Sequence, residues 1–523
     1  MGWRSEPLRA LLSVADRTGI TTLARDLLAL GVELFATDGT REHLGGDGVE
    51  VASIAELTDF PPLLGGTVKT FHPAIYAGIM ARRDMPEHLA QLAEHGIEPI
   101  DIVVVNVTRF APQVGERTVP VIEAVEMMDV GGNALLAAAA RNFAGVAAVT
   151  DAEQYPRLVE EIRERGSVSA EFRQLLAAEA FAKVAAYDAE VSAYLNHAAN
   201  IRFPRYLTLV VEKMRDLGYG ENPHQLAAFY RETSHRGGTI SDATYLNDAA
   251  PTFNNLLDID VAHRIASDFG SRPTVVIVKQ MNPVGLASSF DLHDAYHRAL
   301  EADPVAAFGG VVGLNQRVDP ETAQEIVASS YEAVVAPGFA EEGLAILRGK
   351  PELEIVAVPP GPSEGPRDYG IADLDFKRLG GGLLVETLDR IETDRSQFQV
   401  VTQRKPTLDE LTDLAFAWRA VRHVTSNAIV LARHSAAVGI GAGQPNRTTA
   451  VEIALRRAAD RARLSVMASD AYFPFADAIQ LAAQAGVTAI IQPGGSARDE
   501  MAIEAADKHH LAMVFTGRRH FRH

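Results

Sequence analysis

LRALLSV (residues 8–14), ITTLARDLLALG (20–31) and VELFAT (32–37) open the chain as an apolar run, an amphipathic stretch and a second apolar run. Short apolar runs bounded by Gly, Asp or Asn, with helical periodicity between them, predict parallel strands joined by crossover helices. IDIVVVNV (100–107) and GVAAVT (145–150) continue the pattern, so residues 1–150 read as an α/β domain. Ligands of such sheets bind beyond the carboxyl ends of the strands, where SVADRTG (13–19), ATDGT (36–40) and the Asn106 segment fall. Residues 151–200 are almost wholly helical in pattern and predict a connector packed between two units. Beyond them, TVVIV, GGVVGL, AVVAP, AIVLA, AVGIGAG and TAIIQPGG alternate with helical stretches such as DLHDAYHRALEA and PTLDELTDLAFAWRAV. Residues 201–523 therefore read as a larger α/β region of two similar lobes, divided near the Pro- and Gly-rich VPPGPSEGPRD (358–368).

Composition narrows the function. The 523 residues include 49 Lys and Arg against 68 Asp and Glu, a net charge of -19, which argues against a nucleic-acid partner. There is no cysteine, so disulfides and thiol nucleophiles are excluded. No run approaches the roughly 20 apolar residues that span a bilayer, and MGWRSE lacks a signal core. No membrane association is expected, and the cytoplasm is the expected location. Sixteen histidines form no HExxH pattern, and neither RRHFRH (518–523) nor the pair His509 and His510 has carboxylate spacing, so no metal is predicted.

Several turns place glycine after a strand, as in ATDGT, DVGGNALL and QPGGSARDE. Each is either a plain tight turn or a cradle of backbone amides for an anion. Lys279 ends TVVIV and is followed by QMNPVG, a predicted turn that stops the strand and leaves the ammonium placed to steady an oxyanion. YGENPHQ (219–225) is either a surface loop or part of a site containing Tyr219 and His224. In ASDAYFPFADA (468–478) the aromatics either belong to the core or, with Asp470 and Asp477, form a slot for a pterin-like ring. Arg447, Arg518, Arg519 and Arg522 are either surface charge or forks for phosphate and carboxylate.

Taken in order, SVADRTG, VKTFHPAIYAGIM, VVVNV, DVGG, YGENPHQ, FNNLLDID, DPVAAFGG, VVAPGF, VTQRKPTLDEL, SNAIVLAR, VGIGAGQ, ASDAYFPFADA, IIQPGGS and TGRRHFRH resemble one family through nearly the whole chain. It is the family joining aminoimidazole carboxamide ribonucleotide (AICAR) transformylase to inosine monophosphate (IMP) cyclohydrolase. The resemblance implies an α/β fold with an N-terminal methylglyoxal-synthase-like domain and a C-terminal transformylase of two cytidine-deaminase-like lobes. It implies de novo purine biosynthesis, with formyl transfer from the cosubstrate 10-formyltetrahydrofolate to AICAR and closure of formyl-AICAR to IMP. It also implies a homodimer whose transformylase site draws on both chains. In that half Lys279 and Asn427 take stabilising roles and His224 lies in the site. Tyr219, Arg447 and Arg519 hold the ribonucleotide, Gly309 and Glu332 line the pocket, and Tyr472, Phe473 and Asp477 face the folate or imidazole. In the cyclohydrolase half Lys69 and Asp129 are the catalytic matches. Thr70, Asn106 and Gly131 are also in place, and Ser13, Thr37, Gly39 and Thr40 keep a phosphate-binding pattern.

The chain departs from the family at defined points. Gln280 stands where the family has His, and glutamine can hydrogen-bond the carboxamide but cannot act as a base. Losing such a base costs ~100- to 10,000-fold. Gly218 replaces Arg, Thr67 replaces Arg, Thr108 replaces Tyr, Arg141 replaces Lys, and Asp38 replaces a glycine of the phosphate turn. The last four set the expectation that ring closure is weak. The alternatives are a diverged paralogue acting on a related carboxamide ribonucleotide, with one or both activities weakened, and a non-catalytic nucleotide-binding member.

Overall fold

The computed structural model describes residues 7–107, 110, 119–233, 237–361, 374–389 and 394–523, which fall into two compact units. In the first, the apolar runs become β1 (Arg9–Val14), β2 (Glu33–Ala36), β3 (Ala52–Ser53), β4 (Ile102–Asn106) and β5 (Ala147–Val149). They form one sheet in the order β3-β2-β1-β4-β5, every pair parallel, with Val14 in register with Asn106. Strand interiors are fully buried because helices cover both faces, which is why the runs carry no polar alternation. α1 (Ile20–Ala29) and α5 (Tyr155–Arg165) close one core; α3 (Pro73–Met80) and α4 (Val130–Arg141) close the other. α2 (Asp38–Gly46) begins straight after β2.

The helical stretch after residue 151 is not a connector. α6 (Ala170–Ala198) puts Phe172 and Leu176 into the first core and Ala177 and Ala180 into the second, so it belongs to the first unit, which extends to residue 210. Its small, mixed pattern hides this, because one helix serves two cores along its length.

The second unit holds a twelve-stranded sheet in the order β16-β21-β20-β19-β17-β18-β10-β9-β11-β12-β13-β8. Its first half runs α7 (Phe253–Asp268), β9 (Thr274–Lys279), β10 (Asn282–Ser288), α8 (Leu292–Ala302), β11 (Gly310–Leu314), α9 (Pro320–Ala328), β12 (Tyr331–Ala336), α10 (Glu341–Leu347) and β13 (Glu354–Ala357). The second half repeats it with α11 (Leu408–Val421), β17 (Ile429–Arg433), β18 (Ala436–Gly441), α12 (Arg447–Ala458), β19 (Val466–Ser469), α13 (Asp477–Gln484), β20 (Ala489–Gln492), α14 (Asp499–Lys508) and β21 (Ala512–Phe515). The halves meet where β10 pairs antiparallel with β18, and each carries an antiparallel edge strand, β8 (Thr244–Tyr245) or β16 (Gln399–Val400).

The duplication extends to single residues. Thr252 caps α7 and Thr407 caps α11. Both hairpins turn through two residues with positive φ, Gln280 and Met281 in one and His434 and Ser435 in the other. In each, an aspartate of the preceding helix accepts both turn amides: Asp258 from Gln280 (3.0 Å) and Met281 (2.6 Å), Asp413 from His434 (2.8 Å) and Ser435 (2.7 Å). A hydrogen bond to a charged group contributes about 1.5–3 kcal/mol, which holds these left-handed turns without glycine. A Cβ on Gly285 would lie 1.9 Å from the Ala299 carbonyl oxygen, and one on Gly439 2.2 Å from that of Ala454. The first helix of each lobe to follow the hairpin therefore packs on it at glycine distance.

QMNPVG thus does not end the strand pattern. Only Gln280 and Met281 turn, and Asn282 starts β10, with a register shift between Pro283 and Gly285 that accommodates the missing proline N–H. Two further pairs, β6 (Val211–Leu217) with β7 (Ala227–Glu232) and β14 (Leu374–Leu379) with β15 (Gly382–Thr387), form separate antiparallel hairpins. The proposed lobe divider at 358–368 begins just after β13; residues 362–373 lie outside the described residues.

Candidate active site

In the first unit the site-forming turns sit at the carboxyl edge between β1 and β4, the point where the chain's winding reverses. Asn106 Oδ1 accepts the amides of Ala15 (2.6 Å) and Asp16 (2.9 Å), while its Nδ2 donates to the Asp16 carbonyl (2.7 Å). The Asn106 side chain thus clamps the SVADRTG loop. Thr37 and Thr40 are buried, with Thr37 Oγ1 donating to Ser13 Oγ (3.2 Å) and Thr40 Oγ1 accepting the Val14 amide (3.0 Å). These hydroxyls hold the turn from beneath. The groups facing outward are the first amides of α2, around Asp38 and exposed Gly39, which have no intrahelical acceptor. Arg17, which is not among the expected phosphate-site residues, reaches the same helix start, its NH2 lying 3.5 Å from the Gly39 carbonyl oxygen.

Asp129 caps α4 by accepting the Gly132 amide (2.7 Å), and its own amide donates to Tyr187 Oη of α6 (2.7 Å). Thr70 is buried, and among the described residues its Oγ1 has no hydrogen-bond partner. A Cβ on Gly131 would lie 3.0 Å from that hydroxyl and 3.9 Å from Asp129 Oδ1, so Thr70, Gly131 and Asp129 form one cluster beside Lys69. Thr67 is exposed, and Thr108 lies outside the described residues. Arg141 is not part of the cluster. It ends the last turn of α4, about 18 Å along the helix from Asp129, and lines a cavity of 620 Å³ with Arg82, His88 and His95.

In the second unit Lys279 ends β9 half-buried, its ammonium donating to the carbonyls of Phe308 (3.1 Å) and Gly309. Gly309 has φ 65°, and a Cβ there would lie 2.7 Å from Lys279 Nζ and 3.7 Å from Glu332 Oε1, which groups the three expected residues. Burial pushes the Asp258 carboxyl up, while the turn amides and Lys279 pull against that rise. Asn282, paired with Lys279 across the hairpin, accepts the Thr425 amide on Oδ1 (2.9 Å). That bond ties the lysine's turn to the segment carrying Asn427.

Asn427 Nδ2 donates to the Gln444 carbonyl (2.8 Å), and its Oδ1 accepts from Arg447 NH2 (2.6 Å). Arg447 NH1 donates to Ser469 Oγ (2.8 Å) and Asp470 Oδ1 (2.5 Å). Arg447 is 8% exposed and Asp470 fully buried, so this guanidinium is held between Asn427 and the buried Ser469 and Asp470. The cavity against Asn427, 360 Å³, is lined also by Ser426, Gly443, Gln444, Phe521 and His523.

Phe473 likewise leaves the ligand set: it is 1% exposed and packs in the core with Ile479 and Ile490. The outward residues of its segment are Tyr472, Phe475 and Asp477, with the Arg498 guanidinium 4.8 Å from the Phe475 ring centre and Asp477 accepting from Thr448 Oγ1 (3.0 Å). Tyr219 and His224 sit exposed in the β6–β7 turn, folded on itself by Gln225, whose Oε1 accepts from Asn222 (2.9 Å). Gly218 is exposed beside them. Arg519 is exposed with its guanidinium over Phe521. Among the described residues no bond joins His224 or Arg519 to Lys279 or Asn427.

A doubly wound parallel unit with free helix-start amides at its switch point, followed by a duplicated α/β unit that carries a lysine and an amide in neighbouring segments, is the architecture of a two-part α/β protein with a candidate site in each part. The profile described as MGS-like domain matches residues 19–134, and the one described as AICARFT/IMPCHase bienzyme matches residues 139–457. The chain belongs to the AICARFT/IMPCHase bienzyme family, which unites AICAR formyltransferase and IMP cyclohydrolase. It is 43% identical over 515 residues to the bifunctional purine biosynthesis protein PurH of Thermoanaerobacter sp. (strain X514), covering 98% of this chain and 99% of that one. The same-named proteins of Anoxybacillus flavithermus (44%; 98% and 99% covered) and Listeria monocytogenes serotype 4b (strain F2365) (43%; 98% and 100%) are similar over the same 515-residue length. A solved structure titled "Crystal structure of ForH" shares 36% identity over 36% of this chain and 98% of its own, at a TM-score of 0.32, too low to bear on the fold.

Proposed function

We propose that formyl transfer takes place where the β9–β10 turn meets the 425–427 segment, with AICAR and 10-formyltetrahydrofolate as substrates and Lys279 and Asn427 as the stabilising pair. The observation that carries this is the Thr425 to Asn282 bond, which couples the two segments. The 5-amino group of AICAR is a poor nucleophile, so a base must take its proton while donors steady the formyl oxygen. Lys279 and Asn427 supply donors, and Gln280, exposed at the turn, is a partner for the carboxamide. His224 is then the titratable group for the proton. The Tyr472, Phe475 and Asp477 surface suits reduced folate, with Phe475 in the place expected of Phe473.

Ring closure of formyl-AICAR to IMP is assigned to the first unit, at Lys69, Thr70, Asp129 and Gly131. The unpartnered Thr70 hydroxyl favours this, since burying such a group without a partner costs ~1–3 kcal/mol and a bound ligand would supply one. Arg17 beside the α2 start offers the cation that Thr67 lacks and offsets Asp38, so the substitutions weigh less against ring closure than the sequence suggests.

The same reading makes the protein a cytoplasmic homodimer. Among the described residues no helix is long and apolar enough to cross a membrane. The exposed Met214, Tyr230, Leu383 and Leu384 of the two separate hairpins favour a second copy covering them. The test incubates the full chain with AICAR and 10-formyltetrahydrofolate and follows formyl-AICAR and IMP by chromatography. Both products are expected; nucleotide binding without turnover would overturn the assignment.

A further inference from the structure

His293 and His297 stand one turn apart on α8, and Glu325 faces them from α9. One ligand atom from each lies within 4.8 Å of the others, and both His293 Nε2 and His297 Nε2 are 3.9 Å from Glu325 Oε1. The two rings meet edge to face with centres 4.6 Å apart. Two histidines at i and i+4 with a carboxylate from a neighbouring element is a donor set for a first-row transition ion, because imidazole nitrogen suits such ions whereas calcium and magnesium take oxygen.

The backbone beneath the cluster is fixed. Tyr296, buried between the histidines in sequence, donates from Oη to the carbonyl oxygen of Glu325 itself (3.3 Å) and shares a hydrogen bond with Tyr331 Oη (3.0 Å). The two helices are thereby locked at the residue that carries the carboxylate. The side chains above are 39%, 45% and 40% exposed, free to close from 3.9 Å to the roughly 3.4 Å between ligands of a tetrahedral zinc. In the second lobe the matching helices α12 and α13 are joined by Thr448 and Asp477 instead, so the donor set is not inherited from the duplication.

We propose that His293, His297 and Glu325 bind a divalent first-row transition ion, with water completing its shell, and that the ion staples α8 to α9. Lys279 lies at the opposite end of the β9–β10 hairpin from the start of α8, so the site is structural rather than part of formyl transfer.

The experiment uses the tag-free full chain stripped with chelator, titrated with zinc in a calorimeter and with cobalt in a spectrophotometer. Expected are one site per chain, a cobalt visible band of low-symmetry coordination, and a rise in Tm with zinc. In Glu325→Gln the zinc affinity should fall at least about tenfold, and in the double variant His293→Gln, His297→Gln the Tm rise should vanish. These residues are on the surface, so metal-free Tm should match the parent and report an intact fold. His509→Gln with His510→Gln should leave the site unchanged, and zinc should change the formyl-transfer rate less than about twofold. Zinc binding that persists undiminished in the His293, His297 double variant, or no binding up to millimolar zinc, overturns the proposal.

Discussion

Gly309→Ala isolates the position of the Lys279 ammonium. The new Cβ would lie 2.7 Å from Nζ, so the ammonium must move by roughly 1 Å to regain ordinary contact distance. A misplacement of that size costs on the order of 100-fold in rate, about 2.7 kcal/mol of barrier. The substitution also forces alanine into φ 65°, a strain of roughly 1–2 kcal/mol in stability. Gly270→Ala separates the two effects: its φ is 71°, and a Cβ there meets nothing within 4 Å. Steady-state formyl transfer and thermal unfolding are measured on both variants. Both should lose comparable Tm, and only Gly309→Ala should lose kcat. If the two variants keep formyl-transfer rates within threefold of each other, the argument that Lys279 must stand on the Phe308 and Gly309 carbonyls is wrong.

Gln280→His should raise formyl transfer at least about tenfold at neutral pH by adding a second base beside Lys279, since histidine tolerates left-handed backbone and the Asp258 bond is made by the amide; an unchanged rate would show that position 280 does not limit the step and that His224 or the substrate carries the proton unaided. Arg17→Ala should raise KM for ring closure of formyl-AICAR about tenfold or more and leave formyl transfer unaltered, whereas Asp38→Gly should lower that KM; equal KM in all three proteins would remove Arg17 from the phosphate site. Burial alone would raise the Asp268 carboxyl, but the hydrogen bond and charge of His423, with Arg422, hold it down at about 2, against 3.8 for a free group. A depressed carboxyl contributes stability that is present above 3.8 and lost as pH falls from there toward 2, on the order of 2 kcal/mol. Asp268→Asn should therefore lower the neutral Tm and flatten its fall between pH 4 and 2, and a Tm difference between the proteins that does not shrink with acid would contradict the linkage.

Much of the fold is legible in the chain because burial on both faces writes itself as apolar runs. β1, β2, β4, β5, β11 and β20 sit inside the stretches that predict them, while β9, β12, β17 and β18 overlap theirs and run one or two residues past them. Among the strands that escaped prediction, β6 and β15 are exposed along most of their length and β7 and β14 are half-buried, so packing leaves no apolar run there, while β19 and β21 are buried runs of four residues. β10 was hidden by Pro283, which reads as a strand breaker until a bulge accommodates it. For the site, residue type gave the cast but not the orientation. Phe473 and Tyr472 are neighbours in one motif, and only the fold turns one into the core and the other outward.

The sequence by itself determined the α/β class, the family, the division into a smaller and a larger part, and the exchanges at Gln280 and Asp38, because these depend on local periodicity and residue identity. Tertiary structure alone decided which of the polar residues are spent. Arg447 is bound to Asp470 and Asn427, and Asn106 to the 15–16 amides, while Thr70 has no partner among the described residues. It also decided that Glu325 meets two histidines nearly thirty residues earlier in the chain and that Arg17 stands at the start of α2. Hydrogen bonds and ion pairs between distant segments leave no periodic trace in a sequence, because they are fixed by where the packed helices and strands bring side chains together.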